Sequence, residues 1–363
     1  MKRLLTVHGS AGNGHRSAAR AINQALAERG SEAILADVLS FAGPRFRSFY
    51  GRGYELAAQH VRWLCRLVYV STDRPAAQSR LVEHIEKSHA AKVSGMSILL
   101  AENEIDAVCC THFLPMRLVA DLRRRGAYKG GLQVCVTDYQ VHGFWFDLDV
   151  DRYHVATAEA AERLAAWGVP AERIGVTGIP VRREFAAAGE TAVGPEPWRI
   201  LMLGSSLKVR EVLGFLDDLG ALNRPLTVTL VAGRNQALIR ALEAYNPPPS
   251  LYLDRRGLEP RLELFMAESD LLVTKPGGII CSEALNMGLP MLFVSPIPNH
   301  EVYNAQTLTS AGAGMMCFGQ NSLKTAVRSL MEQPVRLTTM RRAALKLARP
   351  RAADDIATAL LSA

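Results

Sequence analysis

The constraint that bears hardest on this chain lies in residues 273–304, VTKPGGIICSEALNMGLPMLFVSPIPNHEVYN. An apolar run, Leu271 to Val273, stops at Pro276-Gly277-Gly278. A segment with alanine and leucine at helical spacing follows, then Gly288-Leu289-Pro290 and a second apolar run, Met291 to Val294. This is strand, glycine turn, helix, turn, strand, a βαβ unit, and such a unit commits its strands to a parallel sheet. Glycines at the helix start let backbone N–H groups approach an anion, and the helix dipole favours negative charge there. Thr274, Gly277 and Gly278 are therefore candidate anion-side residues. Glu283, about two turns into the helix, suits sugar hydroxyls, and His300, Glu301 and Asn304 beyond the second strand suit another set. Diphosphate, ribose and hexose sites in that order describe a nucleotide-sugar pocket.

The pattern repeats along the chain. Candidate strands are Leu4–His8, Ala33–Val38, Ala107–Thr111, Leu132–Thr137, Tyr153–Ala156 and Ile174–Thr177, then Arg199–Leu203, Leu226–Val231, Leu251–Leu253, Leu271–Thr274, Met291–Val294 and Gly314–Phe318. Helix-length segments separate them, which calls for an α/β fold of two doubly wound, Rossmann-like domains facing across a cleft. At 363 residues each domain can bury its own core. The loose stretch 186–197 is the expected linker, giving domains 1–185 and 186–335. Residues 336–363 read as helix interrupted at Pro350, crossing back to the first domain.

Composition excludes several classes. A hydrophobic content of 48% with 21% charge belongs to a folded chain. The six cysteines form no CxxC pair and sit in apolar contexts, so reduced core thiols in a cytoplasmic protein are expected. The N-terminus lacks a signal-peptide pattern, and no window nears ~18 uninterrupted apolar residues. The net charge of +7 favours an anionic partner. In residues 44–80, seven arginines interleave with Phe46, Phe49, Tyr50, Tyr54, Trp63 and Tyr69. Such a mixture suits a surface on anionic headgroups, an RNA contact, or a solvated helix on a core. On these residues alone the solvated helix comes first.

Ligands of open parallel sheets bind outside the strands' carboxyl ends. The loop after His8, with Gly9, Gly12 and Gly14, nearly matches a phosphate loop, but His15 and Arg16 stand where lysine and a hydroxyl belong. What remains is a glycine turn placing His15 at a helix start, where the dipole keeps an imidazole neutral and fit to act as a base. In Thr137–Trp145, Asp138 and His142 face the cleft, positioning an acceptor hydroxyl or orienting His15, with Phe144 and Trp145 as walls or as core. Gly14, His142, Phe144 and Trp145 are the acceptor-side candidates. Arg182 can reach a diphosphate, and Gly204-Ser205 opens another helix able to hold a phosphate. The triplet Asp147-Leu148-Asp149 has the form of a cation-binding DxD but sits away from the phosphate turns, so no metal is expected.

Together SAGNGHRSAARAI, TDYQVHGFW, GIPVRREF, MLGSS and TKPGG…SEALNMGLP…HEVYN resemble the GT-B glycosyltransferases that include monogalactosyldiacylglycerol synthase and processive diacylglycerol glucosyltransferase. The resemblance implies inverting, metal-independent transfer of a hexose from a UDP-sugar to a lipid hydroxyl, diacylglycerol first. The UDP-sugar is then a co-substrate, with no further cofactor. It implies His15 as base or acceptor-binding group with Asp138 nearby, and Arg182, Ser205, Gly277 and Gly278 on the diphosphate. Glu283 then meets the ribose, and Leu258, Glu259 and Leu262 the uracil. His300, Glu301 and Asn304 stand at the family's Gln-Glu-x-x-Asn sugar motif, with His300 departing from the glutamine. The family's acceptor region coincides with residues 44–80, which favours peripheral attachment to the inner, anionic face of the cell membrane and no nucleic-acid partner. A polyprenyl-linked acceptor, a nucleotide-sugar 2-epimerase and a non-catalytic RNA- or membrane-binding protein of the same fold remain alternatives.

Overall fold

The computed structural model describes residues 2–10, 13–43, 67, 69–73, 95–186, 198–319 and 321–362. Most of the basic aromatic segment 44–80, the linker from 187 to 197, and Gly12 lie outside the described residues. The described chain clusters into two compact units, one of residues 1–183, 298–300 and 349–363, the other of 184–297 and 301–348.

The first unit runs β1 (Arg3–His8), α1 (Asn13–Ala27), β2 (Glu32–Asp37), α2 (Gly95–Glu102), β3 (Ala107–Cys110), α3 (Phe113–Arg124), β4 (Gly131–Cys135), β5 (Arg152–Val155), α4 (Ala158–Ala166) and β6 (Ile174–Val176). Its six strands lie in the order β2-β1-β3-β4-β5-β6, and every neighbouring pair is parallel. Val7, Val108, Leu132 and Val134 face one core with α3 and α4. Leu4, Cys109 and Cys135 face the other, closed by α1 and the last helix. A sheet covered on both faces explains why these strands read as unbroken apolar runs and not as alternation.

The second unit runs β7 (Trp198–Leu203), α5 (Val209–Gly220), β8 (Leu226–Val231), α6 (Gln236–Glu243), β9 (Leu251–Arg256), α7 (Leu262–Glu268), β10 (Leu271–Thr274), α8 (Gly278–Asn286), β11 (Met291–Phe293), α9 (His300–Ser310), β12 (Gly314–Met316), α10 (Ser322–Glu332) and α11 (Pro334–Leu347). The sheet order is β12-β11-β10-β7-β8-β9, again parallel throughout. The expected βαβ unit is β10-α8-β11, with Gly277 as the residue that caps α8.

The tail divides where Pro350 interrupts it. Helix α11 packs within the second unit, its Leu337 and Met340 in that core. Only 349–363, with α12 (Ala352–Ser362), cluster with the first unit. The stretch 336–348 is therefore no part of the crossing segment, because α11 carries its own apolar stripe into the second core. Among the described residues, no helix is long and apolar enough to cross a membrane.

Candidate functional site

Each sheet has one place where consecutive connections leave in opposite directions, opening a crevice beyond the carboxyl ends of two adjacent strands. In the first unit it lies between β1 and β3. The loop after β1 delivers His15, and the residues just past β3 are Thr111 and His112. His112 Nδ1 accepts from Leu114 N at 3.0 Å, capping α3, and its ring stands edge-on to His15 with centroids 4.6 Å apart. Gly9 has no Cβ because one would meet the His112 ring at 3.2 Å.

Among the described residues, half-buried His15 is gripped on one side only. Its Nδ1 lies 2.8 Å from the carbonyl of Thr111 and 2.9 Å from Thr137 Oγ1. Burial lowers its pKa, opposed by the charge of Asp138 and the Thr111 hydrogen bond and assisted by His300. A neutral imidazole beside a carboxylate is the arrangement of a general base. His112 is pushed well below the ordinary histidine value by burial, then by His15 and His8. Buried His8 is lowered by burial against the pull of Asp37, whose carboxylate lies 3.9 Å away. Asp37 also accepts from Ser10 Oγ, Ser10 N and Leu39 N, which ties the turn after β1 to the end of β2.

The loop after β4 differs in part from its sequence reading. Asp138 reaches His15 through its charge. His142, expected to serve the acceptor, has both ring nitrogens committed: Nδ1 accepts from Phe144 N at 3.1 Å, and Nε2–H donates to Tyr69 O at 2.9 Å. Trp145 is 4% exposed and belongs to the core, with its ring 6.5 Å from that of His15. Phe144 is half-buried and stacks on Phe113 at 5.2 Å. Asp147 and Asp149 both engage Arg124, at 3.1 and 2.6 Å. Among the described residues, no group of three or more His, Cys, Asp or Glu side chains is placed to hold a metal ion.

In the second unit the crevice opens between β7 and β10. Gly204 and Ser205 follow β7, and Thr274, Gly277 and Gly278 follow β10. Two loop ends thus meet at one sheet position, the geometry that receives phosphates; α5 starts only at Val209 and not at Gly204-Ser205, and the amides of Gly204 and Gly277 donate to Val231 O and Lys275 O. Glu283 is buried in α8. Asn304 is fully buried and donates from Nδ2 to Pro276 O at 3.0 Å, while Glu301 accepts from Ile297 N. These two bind the loops after β10 and β11 to α9. Leu258 is exposed, Glu259 accepts from Arg261 N at 3.0 Å, and Leu262 begins α7. Half-buried Arg182 and His300 both cluster with the first unit. His8 and His112 escaped the sequence reading, since a polar residue at a strand end gains meaning only once strand order is known.

Comparison with known proteins gives the arrangement its relatives. The family model described as monogalactosyldiacylglycerol (MGDG) synthase matches residues 15–181, and that of the glycosyltransferase family 28 C-terminal domain matches 257–356. The chain is 27% identical to the processive diacylglycerol beta-glucosyltransferase of Bacillus cytotoxicus, covering 99% of this chain and 92% of that protein. It is equally 27% identical to the protein so named in Bacillus cereus, with the same coverage. Among solved structures, MurG of Acinetobacter baumannii superposes with a TM-score of 0.68 at 16% identity over 99% of this chain and 100% of that one. The UDP-GlcNAc 2-epimerase of Neisseria meningitidis bound to UDP-GlcNAc gives 0.60 at 12%, covering 99% and 100%. At such identities the structural likeness concerns the fold alone.

Proposed function

We propose that this chain, which belongs to the GT-B glycosyltransferases of the monogalactosyldiacylglycerol synthase and processive diacylglycerol glucosyltransferase family, moves a hexose from a UDP-sugar to the hydroxyl of diacylglycerol with inversion and without a metal. The observation that carries the reading is His15: a lowered pKa, Nδ1 tied down, and a carboxylate nearby. The first unit takes the acceptor and the second the donor. His15, aided by the charge of Asp138, draws the proton from the acceptor hydroxyl. The acceptor oxygen bonds to the anomeric carbon from the face opposite the departing UDP.

Negative charge growing on the leaving diphosphate is met by the amides behind Gly204, Ser205, Gly277 and Gly278 and by Arg182. Preorganised donors of this kind are worth about 3–4 kcal/mol each where one has been removed. Glu283 receives the ribose hydroxyls, Leu258, Glu259 and Leu262 the uracil, and His300, Glu301 and Asn304 the hexose. Peripheral attachment to an anionic inner-membrane face through residues 44–80 belongs to the same proposal. The commitment of Asp147 and Asp149 to Arg124 supports a site that works through amides and an arginine.

The test is UDP release with a panel of UDP-hexoses, with and without diacylglycerol in anionic vesicles, and chromatography of the lipid products. Diacylglycerol-dependent release with a glycosyl-diacylglycerol product is expected. UDP-sugar isomerisation without an acceptor, or turnover only with a polyprenyl-linked saccharide, overturns the acceptor assignment.

A further inference from the structure

The grip on His15 specifies more than its position. Thr111 stands immediately beyond β3 and Thr137 two residues beyond β4, on strands that pair directly. Both reach the same ring nitrogen, at 2.8 Å from the Thr111 carbonyl and 2.9 Å from Thr137 Oγ1. A carbonyl oxygen only accepts, so Nδ1 carries the hydrogen, and the Thr137 hydroxyl oxygen shares it. The opposite tautomer would set the Nδ1 lone pair against a carbonyl lone pair. Thr111 also donates from Oγ1 to the carbonyl of His15 itself at 2.9 Å, so one residue holds both the ring and the backbone.

We propose that Thr111 and Thr137 are positioning residues that lock His15 as its Nδ1–H tautomer and present the Nε2 lone pair to the acceptor hydroxyl. The proposal rests on the reading of His15 as the base. In the step, the acceptor proton passes to Nε2 and the ring becomes an imidazolium. Its Nδ1–H stays between the two threonine oxygens. The acceptor oxygen bonds to the anomeric carbon as the bond to the diphosphate breaks, the electron pair leaving with UDP. Neutral acceptors orient the ring without the strong upward pull on its pKa that a directly bonded carboxylate would exert. The base thus stays unprotonated at neutral pH, while the cation formed in the step keeps its hydrogen bonds.

Long-range proton–nitrogen correlation spectra of the full chain labelled in histidine test this directly, with His15 assigned from the signal lost in His15→Gln. The Nδ1–H pattern is expected at pH 7.5, and an Nε2–H pattern overturns the proposal. Thr137→Val should lower kcat about tenfold with the donor KM unchanged. It should also move the acid limb of the pH profile downward, because an acceptor that favoured the cation is gone, and Thr137→Ser should restore both. Wild-type kcat and pH profile in Thr137→Val overturn the role of that hydroxyl. Full turnover by His15→Gln sinks the base reading itself, a result the tautomer spectrum does not depend on, so the two failures are told apart.

Discussion

Replacing Asp147 and Asp149 one at a time separates a structural acid cluster from a cation site. Asp147 is 6% exposed, and it meets Arg124 at 3.1 Å and Arg117, itself 13% exposed, at 3.7 Å. Its Oδ1 also accepts from Asp149 N at 3.0 Å. Asp147→Ala therefore strands a buried guanidinium, the case that costs about 3–5 kcal/mol. Arg124 is 41% exposed and rehydrates, and Arg117 keeps its contacts with Phe144 O and Gly143 O, so the lower end, about 3 kcal/mol, is expected. Asp149 and Arg124 are 42% and 41% exposed, which puts Asp149→Ala at about 0–1 kcal/mol. Urea denaturation of both variants measures the gap, and transfer assays with chelator or added Mn²⁺ accompany it. Equal costs, or a cost below about 1 kcal/mol for Asp147→Ala, refute the argument. So does a loss of transfer in Asp149→Ala that excess divalent cation restores.

Four further outcomes are expected. His15→Ala should lower transfer by about 10²–10⁴ while UDP binding by calorimetry stays near wild type. Burial lowers the His15 pKa below its ordinary 6.5, and the proposed base works as the neutral ring, so turnover of the wild type should stay level through pH 7 and fall only below 6.5; an acid limb centred above 7 contradicts the proposal. Glu283→Ala should weaken UDP binding about tenfold, or ~1.4 kcal/mol, and unchanged affinity removes it from the ribose. Gly178 has φ +87°, and an added Cβ would lie 2.4 Å from Arg349 Cβ, so Gly178→Ala should cost at least ~1–2 kcal/mol and speed amide exchange in α12.

All twelve strands among the described residues were legible in the sequence, because a strand buried on both faces writes itself as an apolar run between turns. The helix starting at Gly277 was legible for a similar local reason. Strand order was not, since nothing in an apolar run says which neighbour it pairs with. The crevice between β1 and β3 was therefore only half seen: His15 stood out through its glycines, whereas His8 and His112 sit in ordinary apolar contexts. His142 reads as an acceptor-side residue because a histidine beyond a strand end looks poised for a ligand. Its bond from Phe144 N is local, but the one to Tyr69 O depends on a segment 73 residues away in sequence. Trp145 went to the core as Asp147 turned inward toward the arginines of α3.

The return of the last helix has a consequence for how the chain comes into being. Helix α12, through Ile356, Ala357 and Leu360, completes the cover that Ile22 and Leu26 of α1 begin over the face of the first sheet lined by Leu4, Cys109 and Cys135. Gln133 Nε2 donates to Ala359 O, and Lys2 Nζ to Leu361 O. During synthesis the first sheet emerges early with only α1 over that face, and the rest stays bare until residues 352–362 clear the ribosome. The first unit is thus hostage to a helix made long after its last strand. A nascent chain stalled before residue 352 should cling to chaperones that a completed one no longer needs.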